Sequence, residues 1–185
     1  MHAAEVPLPA FRPIRRARSD EFEALAALER AAFTIHGTAF YPLADIECAL
    51  EHFEGLQRRL IEEGHYFVIE TETGTLAASG GWSRSELEYL QASPAPDRGK
   101  TGVVRCVFVA PPFAGLGLAR DVMRHVEVDA MSTGMAQLTL TASKTAEALY
   151  RKAGYSADTP LYIRLPNGSD LPLFPMRKQL GLSEV

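Results

Sequence analysis

The sequence predicts an α/β (α+β) domain, a mixed sheet with helices on its faces. Three observations predict it. Segments rich in β-branched and aromatic residues alternate with segments of helical periodicity. The alternation closes on two short strands either side of Asn167-Gly168, a dipeptide suited to a tight hairpin turn. The length, 185 residues, is about that of one domain and allows a substantial core. No internal repeat or low-complexity block breaks this order.

After a proline-broken tail, Pro13 to Arg18 reads as a short strand, and Ser19 is placed to cap a helix whose first turn carries Asp20 and Glu21. Phe22, Leu25, Leu28, Glu29, Ala32 and Phe33 recur at roughly helical spacing, so one stripe is buried. The turn-rich segment IHGTAFYP follows, and Pro42 suits the first position of a second helix through Ile46, Leu50 and Phe53, extended to Glu63. Tyr66 to Glu70 and Leu76 to Trp82 form a hairpin about the turn at Glu72 to Thr75. From Ser83 to about Lys100 the chain is polar and contains PAPD; a structureless stretch longer than ~12–15 residues is usually functional or mobile.

Gly102 to Val109 is a strand dense in valine, and a proline-glycine loop leads from it into a helix with Leu118, Val122, Val126 and Ala130 on one face. Gln137 to Thr141 is the next strand. Ser143 is placed to cap a helix that ends before Gly154, a residue able to take the left-handed cap. Tyr162 to Leu165 and Leu173 to Lys178 are the arms of the final hairpin around PNGSD.

Bulk properties exclude several classes of function. A net charge of -4 argues against a general nucleic-acid binder, which needs positive charge to displace counterions. Cys48 and Cys106, without close partner spacing, suggest a reducing compartment and no metal cluster. The first residues lack an apolar core of signal-peptide length, and no run approaches the ~20 apolar residues of a membrane span. The expectation is a soluble, cytoplasmic protein that binds neither membrane nor nucleic acid.

The segment VFVAPPFAGLGLARDVMRHVE, Val107 to Glu127, has the layout of an anion site, yet from Pro111 to Ala119 it holds no lysine, arginine or histidine. A helix N-terminus supplies unpaired N–H groups and roughly half a positive charge. Gly115, Gly117 and Ala119 present little or no side chain, so a phosphate could approach main-chain amides closely without a cation. A P-loop is excluded because no Gly-Lys-Ser/Thr closes the motif, and the dinucleotide fingerprint would need glycine at Arg120. On this loop alone, tight packing of helix on strand explains the small residues as well as a ligand does.

A second segment, TASKTAEALYRKAGY, shifts the balance. Val109-Ala110-Pro111, then Ala114-Gly115-Leu116-Gly117-Leu118-Ala119, then Ala146 to Tyr155 with Leu149, Tyr150 and Gly154, stand in the order and spacing of two motifs of one family. Here the chain resembles the GCN5-related N-acetyltransferase (GNAT) family, in a small bacterial branch of unassigned substrate. FYPLADIECAL, LIEEGHYFVIE, SGGWSR, VRCVFV and PMRK extend the likeness. It runs from about Arg12 to Leu180, which makes residues 12–180 the acetyltransferase domain and leaves tails at 1–11 and 181–185. The resemblance implies a mostly antiparallel central sheet with helices on both faces.

It also implies transfer of an acetyl group from acetyl-CoA to a primary amine of a small molecule or protein by direct attack, with no metal. Val107, Phe108, Val109, Gly115, Leu116, Gly117, Leu118, Ala119, Arg120, Ser143 and Tyr150 are then the cofactor-binding residues. Ala114 departs from the arginine or glutamine usual there, so main-chain amides must carry more of the diphosphate and affinity should be modest; each missing charge-assisted contact is worth about 1.5–3 kcal/mol. Tyr150 is the implied general acid, since a phenol of pKa near ~10 is still protonated at neutral pH. Leu138 and Thr139 occupy the strand positions where many relatives carry a basic glutamate. Glu86 and Glu88 are therefore the candidate bases, with His36 behind them. Both glutamates also read as solvated loop charges.

Trp82, Arg84, Arg105 and Tyr41 are the candidate acceptor-binding residues. Arg105 shares strand parity with Val107 and Val109, so alternation places it on their side, where it needs an internal ion pair or a substrate carboxylate. The internal pair is favoured. Cys106, on the other face, reads as a small buried apolar residue rather than a nucleophile. A homodimer is common among such folds. The alternative function is a non-catalytic domain that binds acyl-CoA as a sensor or partner module.

Overall fold

The computed structural model describes residues 9–84 and 99–181. Strand β1 (Arg15–Arg16) leads into α1 (Phe22–Gly37), α2 (Leu43–His52) and α3 (Leu56–Glu63), followed by β2 (Tyr66–Glu70) and β3 (Leu76–Ser83). After 84 the description resumes before β4 (Thr101–Val109), α4 (Leu118–Ser132) and β5 (Gln137–Ala142). The chain ends in α5 (Glu147–Lys152), β6 (Ser156–Ala157), β7 (Leu161–Arg164) and β8 (Asp170–Gln179). The strands form one sheet in the order β1-β2-β3-β4-β5-β8-β6, with β7 also paired to β8. Every pairing is antiparallel except β4 with β5, so the sheet is mixed and mostly antiparallel.

Local departures from the sequence expectations have local causes. Ser19 makes no side-chain cap; Glu21 does that work instead, its carboxylate accepting the Arg18 N–H at 2.7 Å. The helix expected to reach Glu63 breaks after His52, because Gly55 takes φ 90° and starts α3 anew. Residues 143–146 form a turn before α5, with the Ser143 carbonyl accepting the N–H groups of Ala146 and Glu147. Strand β6, an addition to the expected elements, pairs Ser156 and Ala157 with Arg177 and Met176. The hairpin around Asn167-Gly168 forms in register from Leu161↔Leu173 to Arg164↔Asp170.

Three apolar clusters hold these layers. Leu118, Val122, Met123, Val126 and Ala130 of α4 pack on one face of the sheet, in a cluster that also holds Trp82, Leu138, Leu140, Tyr150 and Met176. Leu25 and Leu60 cover the opposite face over Tyr66 and Val68. Ile46 and Ala49 of α2 meet Leu165, Leu171 and Leu173 of the last hairpin. At the sheet's first edge, Arg15 bridges Glu21 and Glu70 at 2.7 and 2.6 Å, and Arg12 reaches Glu70 at 2.8 Å. Hydrogen bonds from the two arginines lower the Glu70 carboxyl to about 2.

Close packing leaves no room on β3 for side chains at two positions. A Cβ at Gly80 would stand 2.5 Å from Val122 of α4, and one at Gly81 would stand 2.4 Å from the His65 carbonyl oxygen. The second obstacle is backbone and cannot rotate away. Gly81→Ala is therefore expected to destabilise the fold by about 1–3 kcal/mol, read as a lower urea midpoint at unchanged m-value.

Candidate active site

The site begins where two neighbouring strands part. β4 and β5 run parallel and pair only from Thr101↔Gln137 to Val103↔Thr139. β5 continues to Ala142 with its other edge fully paired to β8, and β4 continues to Val109 with its other edge paired to β3. Between the diverging ends lies a cavity of about 180 Å³. Its walls include Val104 to Phe108 of β4, Leu140 to Ser143 from β5 onward, and Tyr150 of α5.

A β-bulge turns β4 away. Ser79 pairs with Phe108 but Gly81 pairs with Arg105, so β4 carries one residue more than β3 over this stretch. Cys106 absorbs the excess at φ 55°, a left-handed conformation that no other described non-glycine residue adopts. The distortion is anchored: the Tyr66 hydroxyl donates to Ser79 Oγ at 3.1 Å, and Ser79 Oγ donates to the Cys106 carbonyl at 3.4 Å. The bulge also corrects the parity expected for Arg105. Val104, rather than Arg105, packs with Val107 and Val109 in the α4-side cluster, because the extra residue interrupts the strict alternation. Arg105 lines the cavity.

The helix mouth is a separate feature, outside that lining. Gly115 and Gly117 take φ 80° and 83°, and α4 starts at Leu118 with no side-chain cap. The Asp121 N–H reaches back to the Gly117 carbonyl, so the N–H groups of Leu118, Ala119 and Arg120 precede the first intrahelical bond. An added Cβ at Gly115 would meet nothing within 4 Å, while one at Gly117 would stand 3.3 Å from the Arg120 guanidinium. Arg120 is thus a long basic side chain beside the mouth, in a loose 3.6 Å ion pair with Asp121 of the same first turn.

Tyr150 is 6% exposed and stacks edge-on against Tyr155 at 5.9 Å. Burial, with a smaller contribution from Cys106, pushes its phenol well above the usual range, so it carries its proton at neutral pH. Burial raises the Cys106 thiol too, with Glu29 adding to the effect and Arg105 opposing it. Most of the remaining cavity wall is apolar: Phe33, Leu50, Phe53 and Leu56 from the α1–α3 side, Leu171 and Leu173 from β8.

One carboxylate lies in that wall. Glu29 of α1 lines the cavity, and its Oε2 is sealed from solvent without a hydrogen-bond donor among the described residues. Burial lifts its carboxyl to about 7, only partly opposed by Arg30. Sequence reading placed Glu29 within a buried helical stripe and went no further; a carboxylate interrupting an apolar stripe was the available signal.

Of the sequence-derived candidates, Arg105, Val107, Phe108, Ser143 and Tyr150 meet in one cavity. Val109 packs beneath α4. Tyr41, Trp82 and Arg84 are engaged elsewhere. The Tyr41 hydroxyl accepts the Lys144 N–H at 2.6 Å and donates to the Pro172 carbonyl at 3.2 Å. Trp82 is fully buried, its indole N–H donating to Asp129 at 2.8 Å, and Arg84 lies over the Trp82 ring and donates to the Thr133 carbonyl. His36 sits in the last turn of α1. Glu86 and Glu88 lie outside the described residues. Among the described residues no group of three or more His, Cys, Asp or Glu could hold a metal ion, and no helix is long and apolar enough to cross a membrane.

Comparison with known proteins agrees with this geometry. The family model for the acetyltransferase (GNAT) domain matches residues 41–180. A GCN5-related N-acetyltransferase from Rhodopseudomonas palustris superposes with a TM-score of 0.71 at 18% identity, covering 94% of this chain and 99% of that one. The yncA structure from Salmonella typhimurium, with acetyl-CoA as its cofactor, gives a TM-score of 0.61 at 19% identity over 94% and 96% of the two chains. PaiA N-acetyltransferase from Thermoplasma acidophilum, in complex with coenzyme A, gives 0.65 at 14% identity over 92% and 99%. No curated protein sequence matches. The fold and its parted strands define an acyltransferase, and the chain belongs to the GNAT acetyltransferase family.

A raised thiol pKa leaves little thiolate at neutral pH. Cys106 is accordingly expected to resist iodoacetamide at pH 7.5 in the folded protein and to react once the chain is unfolded in urea, followed by mass spectrometry of tryptic peptides.

Proposed function

We propose that the protein transfers an acetyl group from acetyl-CoA to a primary amine by direct attack. The observation that carries this reading is the cavity between the parted strands, which has an unpaired strand edge on one side and a buried, protonated Tyr150 on the other. The diphosphate of the cofactor would rest on the amides of Gly115 to Arg120 at the mouth of α4, with Arg120 the nearby cation. Its thioester arm would then run along the edge of β4 that β5 leaves unpaired beyond Val103.

In this arrangement the amine nitrogen attacks the thioester carbon and charge collects on the carbonyl oxygen. A main-chain N–H of the exposed β4 edge, in the Val107 to Val109 stretch, would stabilise that oxygen; donors of this kind are worth roughly 3 kcal/mol. As the carbon–sulfur bond breaks, Tyr150 gives its proton to the departing thiolate. Its raised pKa keeps the phenol protonated in the resting site. Glu86 and Glu88 stand as proton acceptors on sequence grounds alone.

Calorimetry is expected to show coenzyme A binding, weakened by the absence of basic side chains from Pro111 to Ala119. Release of free thiol from acetyl-CoA in the presence of a panel of amines tests the activity. A sensor that merely binds acyl-CoA would release none above background. Tyr150→Phe should lower kcat on the order of 10²-fold with little change in KM for acetyl-CoA; an unchanged kcat would remove Tyr150 from the chemistry.

A further inference from the structure

We propose that the acceptor is a primary amine carried on an apolar body, an arylalkyl or branched alkyl amine, and that Glu29 holds its nitrogen and takes its proton. This rests on the acetyl-transfer reading and adds to it the class of acceptor and the base. The cavity that contains Tyr150 is walled largely by apolar residues such as Phe33, Leu50, Phe53 and Leu171, and among the described residues Glu29 is the one acidic and Arg105 the one basic side chain in its lining. A sealed carboxylate oxygen without a donor among the described residues is able to accept a hydrogen bond. An ammonium or amine N–H supplies that bond, and the largely apolar wall rewards a hydrocarbon substituent.

The step balances without another reactant. The neutral amine forms the carbon–nitrogen bond and becomes cationic; its proton passes to Glu29; the carbon–sulfur bond breaks and the thiolate takes the Tyr150 proton. Solvent then returns the proton from Glu29 to the Tyr150 phenolate, leaving amide and free coenzyme A. Burial sets Glu29 at about 7, so it alternates between base and acid near neutrality. Arg30 of its own helix opposes the rise, Cys106 of β4 and Tyr66 of β2 couple to it, and Arg105 of β4 and Tyr150 of α5 share its cavity. Glu29 must be ionised to accept a proton, so kcat/KM expressed per neutral amine is expected to rise with pH through about 7 and level above it.

The test compares phenethylamine and isopentylamine with ethanolamine, putrescine and phenylalanine, using thiol release by the full-length protein from pH 5.5 to 9. The two apolar amines should exceed the polar ones by roughly 10²-fold in kcat/KM, the size expected from burying a few methylene groups. Glu29→Gln should lower kcat on the order of 10²–10⁴-fold and abolish the rise through pH 7, while coenzyme A binding by calorimetry stays intact. Glu29→Asp should restore part of the rate together with the pH limb. Preference for ethanolamine or putrescine, or for phenylalanine through its carboxylate, would overturn the proposed acceptor class. A pH limb that survives in Glu29→Gln, or that disappears instead in Glu86→Gln or Glu88→Gln, would overturn the base. In both cases acetyl transfer itself would stand. Absence of thiol release with every amine would overturn the acetyl-transfer reading and this inference together.

Discussion

The separation of β4 from β5 is the constraint on which the rest of the site depends. A parallel pair normally zips its hydrogen bonds along the whole overlap. Here the bulge at Cys106 turns β4 after three paired positions, and the two strands are held apart by firm pairing to their outer neighbours. The unpaired edge and the cavity are two aspects of one distortion. A left-handed non-glycine residue costs on the order of 1–3 kcal/mol and persists only where its surroundings over-determine it. The Tyr66–Ser79–Cys106 chain of hydrogen bonds and the antiparallel ladder to β3 supply that insistence.

The same distortion explains which side chains reach the cavity. An inserted residue moves everything after it to the opposite face of a strand. Val107 thereby joins Val104 under α4, and the strand between them opens toward α1. Across the gap, the turn at residues 143–146 sets α5 so that Tyr150 is buried against Tyr155 rather than in solvent. Electrostatics follow from this placement. Phenol, thiol and carboxyl all sit in one low-dielectric hollow, and each is shifted toward its neutral form.

Much of this was legible in the sequence, and the exceptions share a cause. Periodicity located α1, α4 and the main strands because burying a stripe or a face imposes a repeat on composition. The glycine pattern marked the mouth of α4, and the Tyr150 segment marked the second wall. The bulge left no such trace, since adding one residue to a valine-rich strand preserves its apparent alternation; only the paired Gly80-Gly81 on the facing strand hinted at crowding there. Gly55 was visible but its φ was not, so two helices read as one. Glu29 escaped because its meaning depends on a cavity made by strands far away in the chain. Tyr41 and Trp82 show the converse: aromatic residues near the expected acceptor site have their polar atoms committed to Pro172, Lys144 and Asp129.

The three rungs between β4 and β5 also join the molecule's two halves. On one side lie β1 to β4, and on the other β5 to β8, with each set tied internally by antiparallel ladders. Rungs at Thr101, Gly102 and Val103 are the sheet's own link between the halves, and the apolar cluster beneath α4 spans both. Tyr41 adds a strut, since its hydroxyl joins the α1–α2 connection to Lys144 and Pro172. A phenol outside the cavity lining thereby ties the first half of the chain to the turn that carries α5 and to the last strand.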